Sequence, residues 1–249
     1  RKTINGRIGV DKNGKKLTNI VEIAKSFGKM AGVISSVEIS HATPAGFVAH
    51  NISRNNYSQI AEEMVMDSGV DLLMGAGHPY YDNNGQEERR PLGGGNYVGG
   101  TNVFSKLEKG RTGREWIYFD KYRYFETIAR APEIPFERII GIARVNQSLQ
   151  YKREDGRGFN RGVPSLELMT RAGLNFLGGN GSGEGFFLMV EGGAVDWANH
   201  DNNLVRMIEE QTDFVNSVEA VIQWVESNSS WQETLLIVTS DHECGKIWG

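Results

Sequence analysis

The chain has 249 residues, 39% hydrophobic and 23% charged, with a mean hydropathy of −0.41; it is long enough to bury a real core, and wholesale disorder, collagen and coiled coil are excluded. Lys and Arg total 27 against 31 Asp and Glu, a formal charge of −4 that lacks the basic footprint of a general nucleic-acid binder. The longest apolar runs, such as 186–190 and 235–238, are far too short to cross a bilayer.

The chain opens with a helix followed by a strand. Leu17, Ile20, Val21, Ala24 and Phe27 fall at helical spacing, Gly28 supplies a stop, and 32–37 reads as a buried strand. The pattern repeats at once: 57–67 carries Ile60, Met64 and Val65 on one face, Ser68-Gly69 ends it, and 70–74 is the next strand. After Gly75-Ala76-Gly77 the periodicity fades. Residues 80–100 are rich in Gly, Asn and charge, 101–133 is ambiguous, and a further strand is expected at 138–145. Pro164 suits the first turn of a helix over 165–176, and a glycine-rich loop at 178–185 feeds a strand at 186–190. A long helix is expected at 203–225, where Leu204, Ile208, Val215, Val218, Ile222 and Val225 make one apolar stripe. Residues 234–239 read as a compact buried strand. Helices alternating with nearly all-apolar strands predict an α/β fold, a mostly parallel central sheet with helices on both faces. With no clear linker or internal repeat, 1–249 reads as a single domain with a loosely structured insertion at about 78–160.

One cysteine, Cys244, excludes an intrachain disulfide framework but leaves the compartment open. The N-terminus begins with two charges and no apolar run follows, so either the protein is cytoplasmic or its leader has been removed.

In open α/β sheets ligands bind outside the carboxyl ends of the strands, so the chemistry is sought there. The first strand is followed by Glu38-Ile39-Ser40-His41-Ala42-Thr43 and then His50 and Arg54. After 186–190 come Glu191-Gly192-Gly193, Asp196, Trp197 and His200, and after the last strand comes Ser240-Asp241-His242. Asp196 and His200 are four apart, so a helical turn puts both on one face. Asp with His is a normal zinc ligand set, and Asp241-His242 could serve a neighbouring ion. Glu191 and Thr43 offer hard oxygens suited to magnesium. Two clustered metals with Arg54 clamping non-bridging oxygens describe a phosphoryl-transfer site.

At these residues the chain resembles the alkaline phosphatase family. The resemblance is carried by His41-Ala42-Thr43-Pro44-Ala45-Gly46 with Arg54, by Glu191-Gly192-Gly193 with Asp196 and His200, and by Thr239-Ser240-Asp241-His242. Their order and approximate separations match; 80–161 adds little. The resemblance implies an alkaline-phosphatase-like sheet, incomplete in this chain, and two zinc ions with one magnesium. Asp196 and His200 would hold the zinc that activates water and steadies the leaving group. Asp241 and His242 would hold the second, which binds a nucleophilic serine as alkoxide. Glu191 and Thr43 would bind magnesium with His41 in its outer shell, and Arg54 would take the phosphate. His41 and Trp197 complete the substrate-binding set, a combination most similar to marine bacterial and cold-adapted branches. Also implied are phosphate monoesters and inorganic phosphate as ligands, neither nucleic acid nor membrane as partner, a homodimer, and a periplasmic or secreted location. The family's nucleophilic serine, its bridging aspartate and a third zinc-ligating histidine have no counterpart here, so a partial chain, inactive alone, is expected.

Other motifs have plainer readings. Asp67-Ser68 ends a helix instead of opening one and is not a nucleophile segment. Ser240-Asp241-His242 is not a triad, whose members converge from separate elements. His50 and His78 read as structural; Cys244, two residues past His242, could touch a metal but reads better as a small packed residue. The glycine runs at 93–100 and 178–185 lack the dinucleotide fingerprint, and the aromatics of 116–125 suit packing or a subunit contact better than single-strand binding. Competing functions are a catalytically silent metal-binding or assembly fragment, and a sibling phosphodiesterase, sulfatase or phosphomutase.

Overall fold

The computed structural model describes residues 2–180 and 183–244, so part of the glycine-rich loop at 178–185 lies outside the described residues. Five parallel strands form one sheet in the order β3-β4-β2-β1-β5, with β1 at Met30–Glu38, β2 at Leu72–Ala76, β3 at Trp116–Phe119, β4 at Arg138–Ile142 and β5 at Phe186–Glu191. Successive side chains of a strand point to opposite faces. Val33 and Leu73 therefore pack on one face, against Val21, Val48, Ile60 and Phe104. Ile34 and Leu72 pack on the other, against Phe125, Met169 and Phe176. Both faces are covered, as the all-apolar strands require.

The first face is built by α1 (Ile20–Ser26), α2 (Ala42–Val48), α3 (Tyr57–Glu62) and α4 (Gly100–Glu108). Asn19 caps α1 in a reciprocal capping box with Glu22, and α3 runs on into one π turn at Glu63–Asp67. Ser68, whose hydroxyl donates to the Met64 carbonyl, closes that turn, as a helix end requires. The second face is built by α5 (Tyr122–Arg130) and α6 (Leu166–Asn180). After β5 come α7 (Gly193–His200) and the long α8 (Leu204–Asn228).

Three expectations need correction. Residues 78–160 are not loose: they hold a 3-10 segment at Leu92–Val98, α4 and α5, and they give β3 and β4 to the central sheet. Trp116 is buried there, with its indole N–H donating to the Val65 carbonyl. Second, 234–239 is no strand among the described residues: it pairs with nothing, and Leu235 and Ile237 are 82% and 70% exposed. The apolar run is real, but among the described residues no ladder lies beside it and β5 keeps one edge unpaired. Third, the apolar stripe of α8 is buried only toward its C-terminal end, where Val218 and Ile222 are half-buried and Val225 is buried. Leu204, Ile208 and Val215 are exposed, whereas Arg206, Glu210, Ser217, Ala220 and Val225 are buried. Arg206 reaches the carbonyls of Arg153 and Glu154 and the Glu209 carboxylate, so polar pairing decides which side faces inward.

Candidate active site

The chain runs from β1 to β2 on one side and later places β5 on the other side of β1, so β1 and β5 flank the point where strand order reverses. A crevice opens there, at the carboxyl ends. Ser35 and Glu191 are register partners across β1 and β5, and the Ser35 hydroxyl donates to the Glu191 carboxylate. The Thr43 side chain, in the first turn of α2, donates to the same carboxylate. Burial and the charges of Asp241 and Asp196 push the Glu191 carboxyl above the usual range, while the two hydroxyls oppose them. The strand-to-helix turn is tight. A Cβ on Gly193 would stand 2.8 Å from a Val37 methyl and 3.0 Å from the Glu191 carboxylate, so only glycine fits. The Ala194 amide, just inside α7, donates to the Ser36 hydroxyl and ties the helix start to β1.

From α7, Asp196 and His200 project side by side, with His200 Nε2 at 3.2 Å from Asp196 Oδ1. The same oxygen lies 3.6 Å from His242 Nε2 and 3.3 Å from Cys244 Sγ. His242 is also 3.6 Å from Asp241, and the His200 and His242 rings stand 6.1 Å apart. One carboxylate thus gathers two imidazoles and a thiol. Ligand atoms of Asp196, His200 and Cys244 lie within 4.8 Å of one another, a group able to hold a metal ion. Cys244, two residues after His242, is read from the sequence mainly as a packed residue; its thiol instead joins this group. Asp241 stays exposed and lies outside that group.

His41 caps α2 only by backbone geometry. Its buried Nδ1 has no partner among the described residues, and its ring meets Trp197 edge-on at 5.4 Å. Burial, helped by the Arg54 charge and opposed by Asp196, holds its pKa down to about 4, so the imidazole is neutral near pH 7. Arg54 is half-buried, and among the described residues its guanidinium makes no hydrogen bond or ion pair. The other two early histidines are structural: His50 bridges Glu63 and the Leu17 carbonyl, and His78 sits between Tyr118 and Asp120. A cavity of about 510 Å³, lined by Tyr81, Lys121, Arg144 and Arg161 among others, has no carboxylate or imidazole in its walls and is not this site.

Comparison with known proteins places the chain. The family profile described as alkaline phosphatase matches residues 1–249. Alkaline phosphatase 4 of Bacillus subtilis is 33% identical over 252 residues, covering 98% of this chain and 46% of that protein. The repressible alkaline phosphatase of Saccharomyces cerevisiae is 29% identical, covering 99% of this chain and 43% of its own length. Among solved structures, the cold-active alkaline phosphatase of a psychrophilic Shewanella sp. superposes with a TM-score of 0.66 at 28% identity, over 91% of this chain and 48% of that one. That of the Antarctic bacterium TAB5 gives 0.68 at 26% identity, over 92% and 58%. A TAB5 variant carries magnesium in a site termed M3. The chain spans about half the length of the curated relatives it matches. It belongs to the alkaline phosphatase family.

Proposed function

We propose that the carboxyl edge of β1 and β5 serves metal-dependent hydrolysis of phosphate monoesters, releasing inorganic phosphate. The reading is carried by the convergence of His200, His242 and Cys244 on Asp196. Asp196 with His200, and Asp241 with His242, would each hold a zinc, since carboxylate and neutral imidazole are its normal ligands. Glu191 and Thr43, already in hydrogen-bond contact, offer the hard oxygens that magnesium takes. Bound there, the metals supply Lewis-acid charge and a water acidified toward neutral pH.

The side chains do the rest. The unpaired Arg54 guanidinium presents a planar fork to two non-bridging phosphate oxygens. Neutral His41 offers hydrogen bonding without adding charge beside Arg54, and the Trp197 ring fixes its plane. The phosphoryl acceptor in this reading is a serine outside these residues: a Ser O–P bond forms as the ester P–O bond breaks, and water then releases phosphate. The 249 residues would be one partial domain of a homodimeric enzyme that works in the periplasm or outside the cell, as the resemblance implies. No helix among the described residues is long and apolar enough to cross a membrane.

A second reading, a catalytically silent metal-binding or assembly fragment, is favoured by the exposed apolar residues of α8 and 235–238. Steady-state hydrolysis of an aryl phosphate, with polypeptide mass verified, separates the two. The expected result is hydrolysis by the intact native polypeptide and little or none by the isolated 249-residue chain, even with zinc and magnesium added. An inactive native protein contradicts the enzyme reading, and an isolated chain within tenfold of the native rate shows that the nucleophile lies inside it.

A further inference from the structure

The cavity of about 510 Å³ opens where β3 and β4 end: Lys121 stands two residues beyond β3, Arg144 two beyond β4, and both line it. Strand spacing sets β4 roughly 10 Å from β1 along the same carboxyl edge, and the cavity shares no wall residue with the Asp196 cluster. Its walls carry four cations, Lys121, Arg123, Arg144 and Arg161, and no carboxylate, in a chain of formal charge −4. Arg144 is fixed in place. It donates to Asp120 from Nε at 3.0 Å and Nη2 at 3.4 Å, and its guanidinium lies 4.9 Å over the Tyr81 ring. Asp120 is shared with His78, at 3.4 Å, and Asp82 of the nearby turn already accepts from the Asn84 and Gln86 amides. The exposed side chains of Lys121 and Arg161 make no hydrogen bond or ion pair among the described residues, and Arg123 meets only the adjacent Tyr124.

The helix that begins here sharpens the imbalance. Lys121 is the N-cap of α5, no side chain caps it, and its first turn holds no acidic residue but carries Arg123. Helix starts favour Ser, Thr, Asp or Asn caps and negative charge, so cations crowded there oppose the helix dipole as well as one another. An anion in the cavity relieves both, taking the N–H groups that a helix start leaves without intrahelical partners together with the guanidinium forks. The geometry points to a binding site for short oligophosphates, such as pyrophosphate and tripolyphosphate, in this cavity. A single phosphate offsets only about two of the four charges. A nucleobase finds little platform: Arg144 covers one face of Tyr81 and His78 meets that ring edge-on at 4.7 Å, which leaves Tyr122 alone in the wall to stack. Linked phosphates match cations spread around one cavity. The site lies beyond the catalytic reading and does not depend on it.

The test is calorimetric titration of tripolyphosphate into the metal-loaded native polypeptide, freed of unbound metal, with orthovanadate occupying the catalytic crevice. The wild type is expected to bind one equivalent per chain that orthovanadate does not displace, roughly tenfold tighter than orthophosphate and weaker as ionic strength rises. Lys121→Gln combined with Arg161→Gln, both at exposed side chains without partners, should weaken that equivalent by roughly tenfold or more. In the same variant kcat/KM on an aryl phosphate, measured without vanadate, should stay within about twofold. Heat from chelation of bound metal is common to both proteins, so the difference between them reports the cavity. The absence of a vanadate-resistant equivalent, or one unmoved in the double variant, overturns the inference. So does orthophosphate bound as tightly as tripolyphosphate, or a single-stranded oligonucleotide bound more tightly.

Discussion

Arg54 is a half-buried cation without a hydrogen bond or ion pair among the described residues, and its charge is felt at His41 and Tyr57. A guanidinium held in that state is available to an anion. Hydrogen bonds to charged groups contribute on the order of 1.5–3 kcal/mol, so Arg54→Ala should lower kcat/KM of the native enzyme by roughly ten- to a few hundred-fold. Zinc content should not change, because arginine ligates no metal. His200→Ala should instead lose a zinc and nearly all activity. Kinetics beside metal analysis of both variants checks this; full kcat/KM in Arg54→Ala, or zinc loss like that of His200→Ala, contradicts the role. The ligand-type residues were legible because Asp and His recur after strand ends at spacings with chemical meaning. The Cys244 contact was legible only as the lesser reading, since it depends on how the chain after α8 meets α7.

At the scale of elements, α8 shows where periodicity misleads. Counting apolar residues selects the Leu204–Ile208 side, but the helix buries Glu210, whose Oε1 has no partner among the described residues. Burial, with the nearby Asp213 and Glu209, raises its pKa from 4.5 to about 8; Arg206 and the Tyr151 backbone only partly oppose this. The folded state therefore binds a proton more readily than the unfolded chain. The associated stability is present in full below the unfolded pKa of 4.5 and is lost as pH rises toward 8, by an amount on the order of a few kcal/mol. Glu210→Gln removes the titration. Urea unfolding at pH 5.5 and 8.5 should show wild-type stability falling between the two, with the Gln variant falling less and exceeding the wild type at the higher pH. Parallel declines would contradict the assignment. Strands β1, β2, β4 and β5 and helices α1, α6 and α8 were legible, being apolar runs or clean helical stripes. By contrast, β3 has only four residues and lies at a sheet edge, and α4 is a short helix just after a glycine-rich stretch, whose one apolar face, Val103, Phe104 and Leu107, spans little more than a turn.

For the molecule as a whole, the parallel sheet and the reversal of strand order at β1 and β5 fix where chemistry can occur. The alternation of helices with apolar strands foretold that plan, and the family profile over 1–249 agrees with it. One failed expectation, a buried strand at 234–239, has the right residues with no strand beside them among the described residues, because a strand needs a neighbour and composition alone does not supply one. The central claim is that Asp196 and His200 hold zinc at this edge. Anomalous diffraction at the zinc edge from crystals of the zinc-loaded protein tests it directly. The account predicts a peak at bonding distance, ~2.0–2.2 Å, from both an Asp196 oxygen and a His200 nitrogen. A zinc bound elsewhere, or Asp196 and His200 turned away from a common ion, would contradict it.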